Sequence, residues 1–201
     1  KVLDLASHDG RWSFAALDAG ATSVTGIEVR PELAAAATQN MTAFGVKEDR
    51  CRFQVGDMFA RRDIFQEVYD VVLCLGIFYH TTRHVELLEL IGRTGARTVI
   101  IDTMLCDEYG CVTALMPERA DRPANGLDET GVRNNSILVG HPSPAAMQLM
   151  LEHFGYGVRR VDWQALIARL GATPDRSRMQ SATNPLGDYA RGLRGTFIAT
   201  R

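Results

Sequence analysis

Lysine is almost missing from this chain. Of its 22 basic residues only Lys1 and Lys47 are lysines, and 24 acids leave a formal net charge of −2. That balance removes the basic footprint expected of a nucleic-acid binder, though it does not forbid a local patch. The arginine excess reads as the mark of a GC-rich genome rather than of a chemistry. Cysteine is scarce too: Cys51, Cys74, Cys106 and Cys111 form no Cys-x-x-Cys pair, which excludes a disulfide scaffold. Cys51 and Cys74 fall in or beside expected buried strands, and Cys106 and Cys111 are near enough in sequence to bridge. Reduced thiols in a cytosolic protein are the reading. No apolar run approaches the roughly 18 residues of a membrane span, and no signal peptide precedes the first strand, so the expected location is cytoplasmic. What remains is ordinary: 201 residues, 46% hydrophobic and 23% charged, fit one globular domain. Such a chain buries roughly 70% of its unfolded surface and needs no staple.

The chain opens inside a strand, Lys1 to Ala6, so residues ahead of it are expected to have been trimmed or to be missing from this sequence. A helix over 11–20 ends at Gly20, a residue suited to the left-handed turn after a helix. Strands are expected at 23–28, 51–55, 69–75 and 97–102, with helices at 32–43, 60–66 and 83–93 between them. Pro31 suits the first turn of its helix. The run Val71-Val-Leu-Cys-Leu75 is apolar on both faces, the pattern of a central parallel strand. Five strand–helix alternations predict an α/β fold with a Rossmann-like, doubly wound sheet. Later segments add a helix capped by Ser143 with Pro144 in its first turn, a sixth strand at 158–163, a helix at 164–171 and a seventh strand at 195–200. The sheet is therefore read as seven-stranded, mostly parallel, with an antiparallel last strand. Two stretches, 104–142 and 172–194, show no clear periodicity and are read as an acceptor-site lid on a single domain.

In an open α/β sheet, ligands bind beyond the carboxyl ends of the strands, where the strand order reverses. After the first strand comes Asp4-Leu-Ala-Ser-His-Asp-Gly10, with small residues that let the backbone approach a ligand. The Gly-x-Gly-x-x-Gly signature of a dinucleotide site is absent. Asp4 and Asp9 repel phosphate and suit an ammonium or sulfonium instead. Glu28 ends the second strand, where an acid can accept from both ribose hydroxyls. Gly56-Asp57-Met58 follows the third, with an acceptor for an adenine amino group and a thioether to pack on its ring. Three acids after three successive strands describe a nucleoside with a cationic tail, S-adenosylmethionine.

Leu3-Asp4-Leu-Ala-Ser-His-Asp-Gly-Arg-Trp-Ser-Phe14, Ala19-Gly-Ala21 and Gly26-Ile-Glu28 resemble the first motifs of class I S-adenosylmethionine-dependent methyltransferases. The resemblance is nearest to the branch that includes the tRNA wobble-uridine carboxymethyltransferases. Leu75-Gly-Ile-Phe-Tyr-His80 is similar to that branch's Gly-x-x-Tyr-His motif, and His141-Pro-Ser-Pro144 to a later segment. The first loop departs from the usual three glycines, keeping only Gly10. The resemblance implies that Asp4, Ser7, Asp9 and Gly10 hold the methionyl end, Glu28 the ribose, and Asp57 and Met58 the adenine. It also implies that Leu75 and Gly76 line the sulfonium.

Methyl transfer to oxygen needs alignment and removal of a proton. His80 and His141 are the candidate bases, with Tyr79 shaping the acceptor site; which histidine acts stays open. His8 is read as structural, and His84 and His153 as packing or surface residues. Asp102, Asp107 and Glu108 are candidate Mg²⁺ ligands, since such an ion can lower a hydroxyl's pKa. Tyr109 is the lone aromatic of 104–142, so no stacking platform for a flipped base is present. Glu118, Arg119, Asp121, Arg122, Asn125, Arg133, Asn134 and Asn135 give the segment a polar lining suited to a sugar. The expected function is an O-methyltransferase acting on a polar small molecule, a saccharide in particular. The alternatives are a tRNA-modifying methyltransferase and a non-catalytic cofactor-binding domain. Nucleic acid is disfavoured as a partner, a membrane is not expected, and a homodimer stays open.

Overall fold

A computed structural model describes residues 1–121, 132–174 and 186–201. The alternating apolar segments become strands β1 (Val2–Leu5), β2 (Val24–Glu28), β3 (Cys51–Val55), β4 (Val71–Leu75) and β5 (Thr98–Met104). Helices α1 (Arg11–Asp18), α2 (Pro31–Ala43) and α3 (His84–Arg93) lie between them. After β5 come β6 (Thr113–Arg119), β7 (Ser136–Pro142), α4 (Pro144–His153), β8 (Gly157–Arg160), α5 (Trp163–Arg169), α6 (Gly187–Arg191) and β9 (Arg194–Thr200). The large sheet has the order β3-β2-β1-β4-β5-β9-β8, so the order reverses between β1 and β4. The first five strands run parallel, and β9 is antiparallel to both β5 and β8. This is the mostly parallel seven-stranded Rossmann-like sheet that the sequence predicts.

Burial explains the layering. On α3, His84, Leu87, Leu88, Leu90 and Ile91 are buried, one face of a helix at its natural period. The four apolar ones join Leu3, Leu5, Phe65, Phe78, Ile101, Met147 and Phe197 in the larger core cluster. On the opposite face α1 and α2 contribute Leu17 and Met41, packed with Val2, Val24 and Leu73. The strand β4 is central, as its uninterrupted apolar sequence requires, with Cys74 fully buried. All four cysteines are free thiols, so Cys106 and Cys111 do not bridge.

The structure corrects the sequence reading in three places. Residues 113–119 and 136–142 of the supposedly aperiodic segment form a separate antiparallel hairpin with seven paired positions. Its inward residues Ile137, Val139 and His141 are buried while Leu115 and Leu138 are exposed, a period of two hidden by apolar residues on the solvent face. The sixth strand of the sheet ends at Arg160 rather than Trp163. Asp162 accepts from Ala165 N at 2.9 Å and starts α5 at Trp163. The expected helix at 60–66 is a 3₁₀ segment, Arg62–Gln66. The Ser143 cap stands as read, its Oγ accepting from Ala146 N at 3.1 Å. Residues 122–131 and 175–185, with Arg122 and Asn125 of the expected lid, lie outside the described residues. No helix among the described residues is long and apolar enough to cross a membrane.

Candidate active site

The loop after β1 holds the geometry of a glycine-rich turn with other residues in it. Ala6, His8 and Gly10 have φ of 54°, 52° and 82°. A left-handed conformation costs an L-residue roughly 1–2 kcal/mol, so Ala6 and His8 store strain. We expect Ala6→Gly to raise stability by about 0.5–1 kcal/mol, the relieved strain less the entropy that glycine adds to the unfolded chain. Equal or lower stability in a urea titration would contradict that. Gly10 is required by packing, because a Cβ there would stand 3.0 Å from Met41 Cε and 3.1 Å from both Ala37 Cβ and Phe53 Cζ.

The acids of the loop region have distinct fates. Asp4 is buried, and its Oδ2 accepts from Ser13 Oγ at 2.6 Å. Burial pushes its pKa up to about 7, against the lowering effect of the Ser13 hydroxyl and amide and with help from the nearby Glu28 charge. The native state then keeps a proton that the unfolded chain loses between about pH 4 and 7, so this stabilisation is full below that window and lost as pH rises through it. Asp4→Asn preserves an acceptor for Ser13 and removes the titration. Urea midpoints should therefore shift in favour of the variant as pH rises across the window; parallel profiles would refute the shift. Asp9 is held by Arg11, whose Nε and Nη2 donate to its Oδ1 and Oδ2 at 2.9 and 2.8 Å. That guanidinium holds Asp9 far below the usual carboxylate range. Ser7 Oγ is buried with no hydrogen bond among the described residues.

Glu28 is buried at the end of β2 and ties the loop to the next turn. Its Oε2 accepts from the His8 amide at 3.0 Å, and its Oε1 accepts from the Arg30 amide at 3.1 Å and Arg30 Nε at 2.9 Å. The His8 backbone amide thus ties the first loop to β2. Asp57 Oδ1 accepts from the Phe59 amide at 2.8 Å and shapes the turn after β3. Glu28, Asp57 and Met58 meet in one narrow crevice with Ala6, Ile77 and His80. Its floor is apolar and its margins carry the two carboxylates. Leu75 lies elsewhere, in the wall of an open groove of about 880 Å³ between α1 and α5 that also reaches Trp12, Ile100 and Tyr189. Gly76, with φ of 86°, turns the chain between the two, and a Cβ on it would lie 3.4 Å from Arg194 Nη2.

Beyond β4 the hairpin closes over a group of titratable side chains. Tyr79 and His80 belong to a 3₁₀ turn, Phe78–His80. His80 and His141 are 9% and 5% exposed. The Tyr79 ring centroid is 4.1 Å from that of His80 and 5.6 Å, edge-on, from that of His141. Burial pushes the Tyr79 hydroxyl above its ordinary value. Burial likewise lowers His141 below its ordinary 6.5, with the His80 charge acting in the same direction and Glu118 against it. His141 is thereby uncharged, the form a base requires, at neutral pH. Its Nε2 is buried without a hydrogen bond among the described residues. His84 packs instead, stacked on Phe78 at 4.5 Å with Nε2 3.0 Å from the Phe78 carbonyl, and His153 is exposed.

The proposed Mg²⁺ ligands do not assemble. Asp102 accepts from Arg194 Nε at 2.5 Å, Thr196 Oγ1 at 2.6 Å and the Tyr189 hydroxyl at 2.8 Å. Asp107 and Glu108 are exposed, and no group of three His, Cys, Asp or Glu among the described residues could hold a metal ion. The β5 carboxylate is spent on the guanidinium, an arrangement that sequence spacing could not reveal because the partners are 92 residues apart. Arg194 was missed for that reason, as was Tyr189 on the unforeseen α6.

Residues 2–94 match the methyltransferase domain family. The N-terminal domain of EvdMO1 with S-adenosylhomocysteine bound is 18% identical, with a TM-score of 0.68, over 100% of this chain and 73% of that one. The same domain has been crystallised in the presence of S-adenosylhomocysteine and D-fucose. An S-adenosylmethionine-dependent methyltransferase from Mesorhizobium loti is 12% identical, with a TM-score of 0.64, over 100% of this chain and 90% of that one. No curated protein matches the sequence. Residues 2–94 are thus similar to a methyltransferase domain, and the described residues share the fold of solved S-adenosylmethionine-dependent methyltransferases.

Proposed function

We propose that the protein methylates a hydroxyl oxygen of a polar small molecule, with sugars as the acceptor class. The observation that carries this reading is the pair of buried imidazoles, His80 and His141, beside Tyr79, with His80 lining the same crevice as Glu28, Asp57 and Met58. S-adenosylmethionine would supply the methyl group from a positively charged sulfur. Met58 and Ile77 would pack on the adenine and Asp57 would accept from its amino group. Glu28, already holding the loop through His8 and Arg30, would offer its remaining acceptor capacity to the ribose. Ser7 Oγ would meet the methionyl end. Asp9 is spent on Arg11 and Gly10 on packing, so their share in that end would come through the backbone. Gly76 would give close approach at the end of β4.

His141 Nε2 would take the hydroxyl proton, and Tyr79 and His80 would wall the acceptor. The described residues of 104–142 and 172–194 would form the lid on this single domain. A sugar agrees with the polar residues of the lid and with the D-fucose present with the EvdMO1 domain. The account requires no metal from Asp102, Asp107 or Glu108. The test is a radiolabelled methyl-transfer assay against a panel of free and glycoside-linked sugars, and against tRNA, with and without Mg²⁺. Label in a sugar is the expected result. Label in tRNA alone, or binding of the donor with no turnover on any acceptor, would replace this reading by one of the alternatives.

A further inference from the structure

We infer that a second pocket, at the carboxyl edge of β8, holds a neighbouring ring of the acceptor, so that the acceptor is a glycoside of two or more sugars. This rests on the reading of the acceptor as a sugar and says which sugars. The pocket has a volume of about 410 Å³ and is lined by Arg160, Asp162, Trp163, Gln164, Tyr189 and Arg194. Small-molecule sites span roughly 300–1,000 Å³. Trp163 and Tyr189 stack with ring centroids 4.1 Å apart and planes tilted by 30°. Both rings are tied by their polar ends to one carboxylate. The Tyr189 hydroxyl donates to Asp102 Oδ2 at 2.8 Å. Trp163 Nε1 donates to Thr196 Oγ1 at 3.0 Å, and that hydroxyl donates to the same Oδ2 at 2.6 Å. The aromatic platform is fixed before any ligand arrives, which cuts the entropy lost on binding.

The polar groups are oriented too. Gly195 leaves room for Arg160 to fold across the start of β9, since a Cβ there would stand 3.2 Å from Arg160 Nε. Gln164 Nε2 donates to Ala190 O at 2.6 Å, and Asp162 Oδ1 accepts from Ala165 N at 2.9 Å. Two guanidiniums, Arg160 and Arg194, stand against two carboxylates, Asp162 in the wall and Asp102 bonded to Arg194. That balance favours neither an anion nor a cation. An apolar ligand would strip water from these charges without replacing its hydrogen bonds. A pyranose meets both demands. Its hydroxyls donate to carboxylates and accept from guanidiniums, and its C–H face suits the electron-rich face of an aromatic ring. Arg194 joins the pocket to the acceptor wall, its guanidinium carbon 5.7 Å from the ring centroids of both Tyr189 and Tyr79. A sugar seated in the pocket therefore leaves the place beside Tyr79 to the next sugar of the same chain.

Trp163 serves as the reporter. The chain has two tryptophans, and Trp12→Phe leaves Trp163 as the sole one. Emission of that chain is titrated, without S-adenosylmethionine, with D-glucose, D-galactose and D-mannose, with their α- and β-linked di- and trisaccharides, and with inorganic phosphate as a charged control. Di- or trisaccharides should change the emission and bind at least about 10-fold more tightly than any single sugar, and Arg160→Gln should weaken that binding about 10-fold. Silence with every saccharide, single sugars binding as tightly as longer ones, a response to phosphate alone, or binding indifferent to Arg160→Gln would overturn the inference. Should Trp12→Phe fold poorly, calorimetry on the unaltered chain and on Arg160→Gln with the same panel decides by the same criteria. Saccharide binding without methyl transfer would leave this pocket standing and remove the proposed reaction; methyl transfer confined to single sugars would do the reverse.

Discussion

Replacing His141 with alanine is expected to lower turnover by about 10²–10⁴-fold, the usual contribution of a positioned general base. The Kd for S-adenosylmethionine and the KM for the acceptor should stay within a few-fold. The reason lies in placement. His141 sits on β7 and not on the crevice that Glu28, Asp57 and Met58 line, so its loss leaves the expected donor contacts in place. Burial keeps it neutral, so in wild type the acidic limb of the rate should fall below the ordinary histidine value of 6.5. A loss that appears only in KM would make His141 a binding residue and pass the role of base to His80. Because the ring is 5% exposed, the variant's thermal midpoint should be measured beside its rate, so that lost folding is not read as lost chemistry.

Asp102→Ala is expected to cost about 3–5 kcal/mol of stability, the range for breaking a buried ion pair from one side. Its carboxylate takes three donors, from Arg194, Tyr189 and Thr196, and Trp163 Nε1 in turn donates to Thr196 Oγ1 at 3.0 Å. Removing it strands a guanidinium held close to Met104 and Gly76 and two hydroxyl donors with it. The thermal midpoint should drop by roughly 10 °C for a chain of this size. A second reading of Asp102, as a Mg²⁺ ligand, makes the opposite forecast: nearly unchanged stability and altered metal dependence. A denaturant titration separates them. A destabilisation under about 1 kcal/mol would show that Arg194 finds solvent without penalty.

The parts that could be read in the sequence are those with a local signature. The apolar run of β4, the Ser143–Pro144 helix start and the 3.6-residue period of α3 each follow from short-range physics, and each stands in the structure. The sheet follows from their alternation. The hairpin was hidden because Leu115 and Leu138 place apolar side chains on its outer face, which erases the alternation that marks a strand. The first loop was legible in shape but not in composition: Ala6 and His8 adopt a glycine-like conformation, so counting glycines understates it. Asp9, Asp57 and Glu28 were chosen by position after strands. Only the structure shows that Arg11, Phe59, His8 and Arg30 already use much of their hydrogen-bonding capacity. The links from Glu118 to His80 and from Asp102 to Arg194 join residues 38 and 92 positions apart, beyond any pattern in one sequence.

The account turns on the crevice beside Glu28, Asp57 and Met58 being a site for S-adenosylmethionine. Calorimetric titration of the purified chain with S-adenosylmethionine, and separately with a nicotinamide dinucleotide, tests it most directly. We predict binding of the first with a Kd on the order of micromolar, about −8 kcal/mol, and no heat from the second. Silence with S-adenosylmethionine, or binding of the dinucleotide instead, would contradict the account.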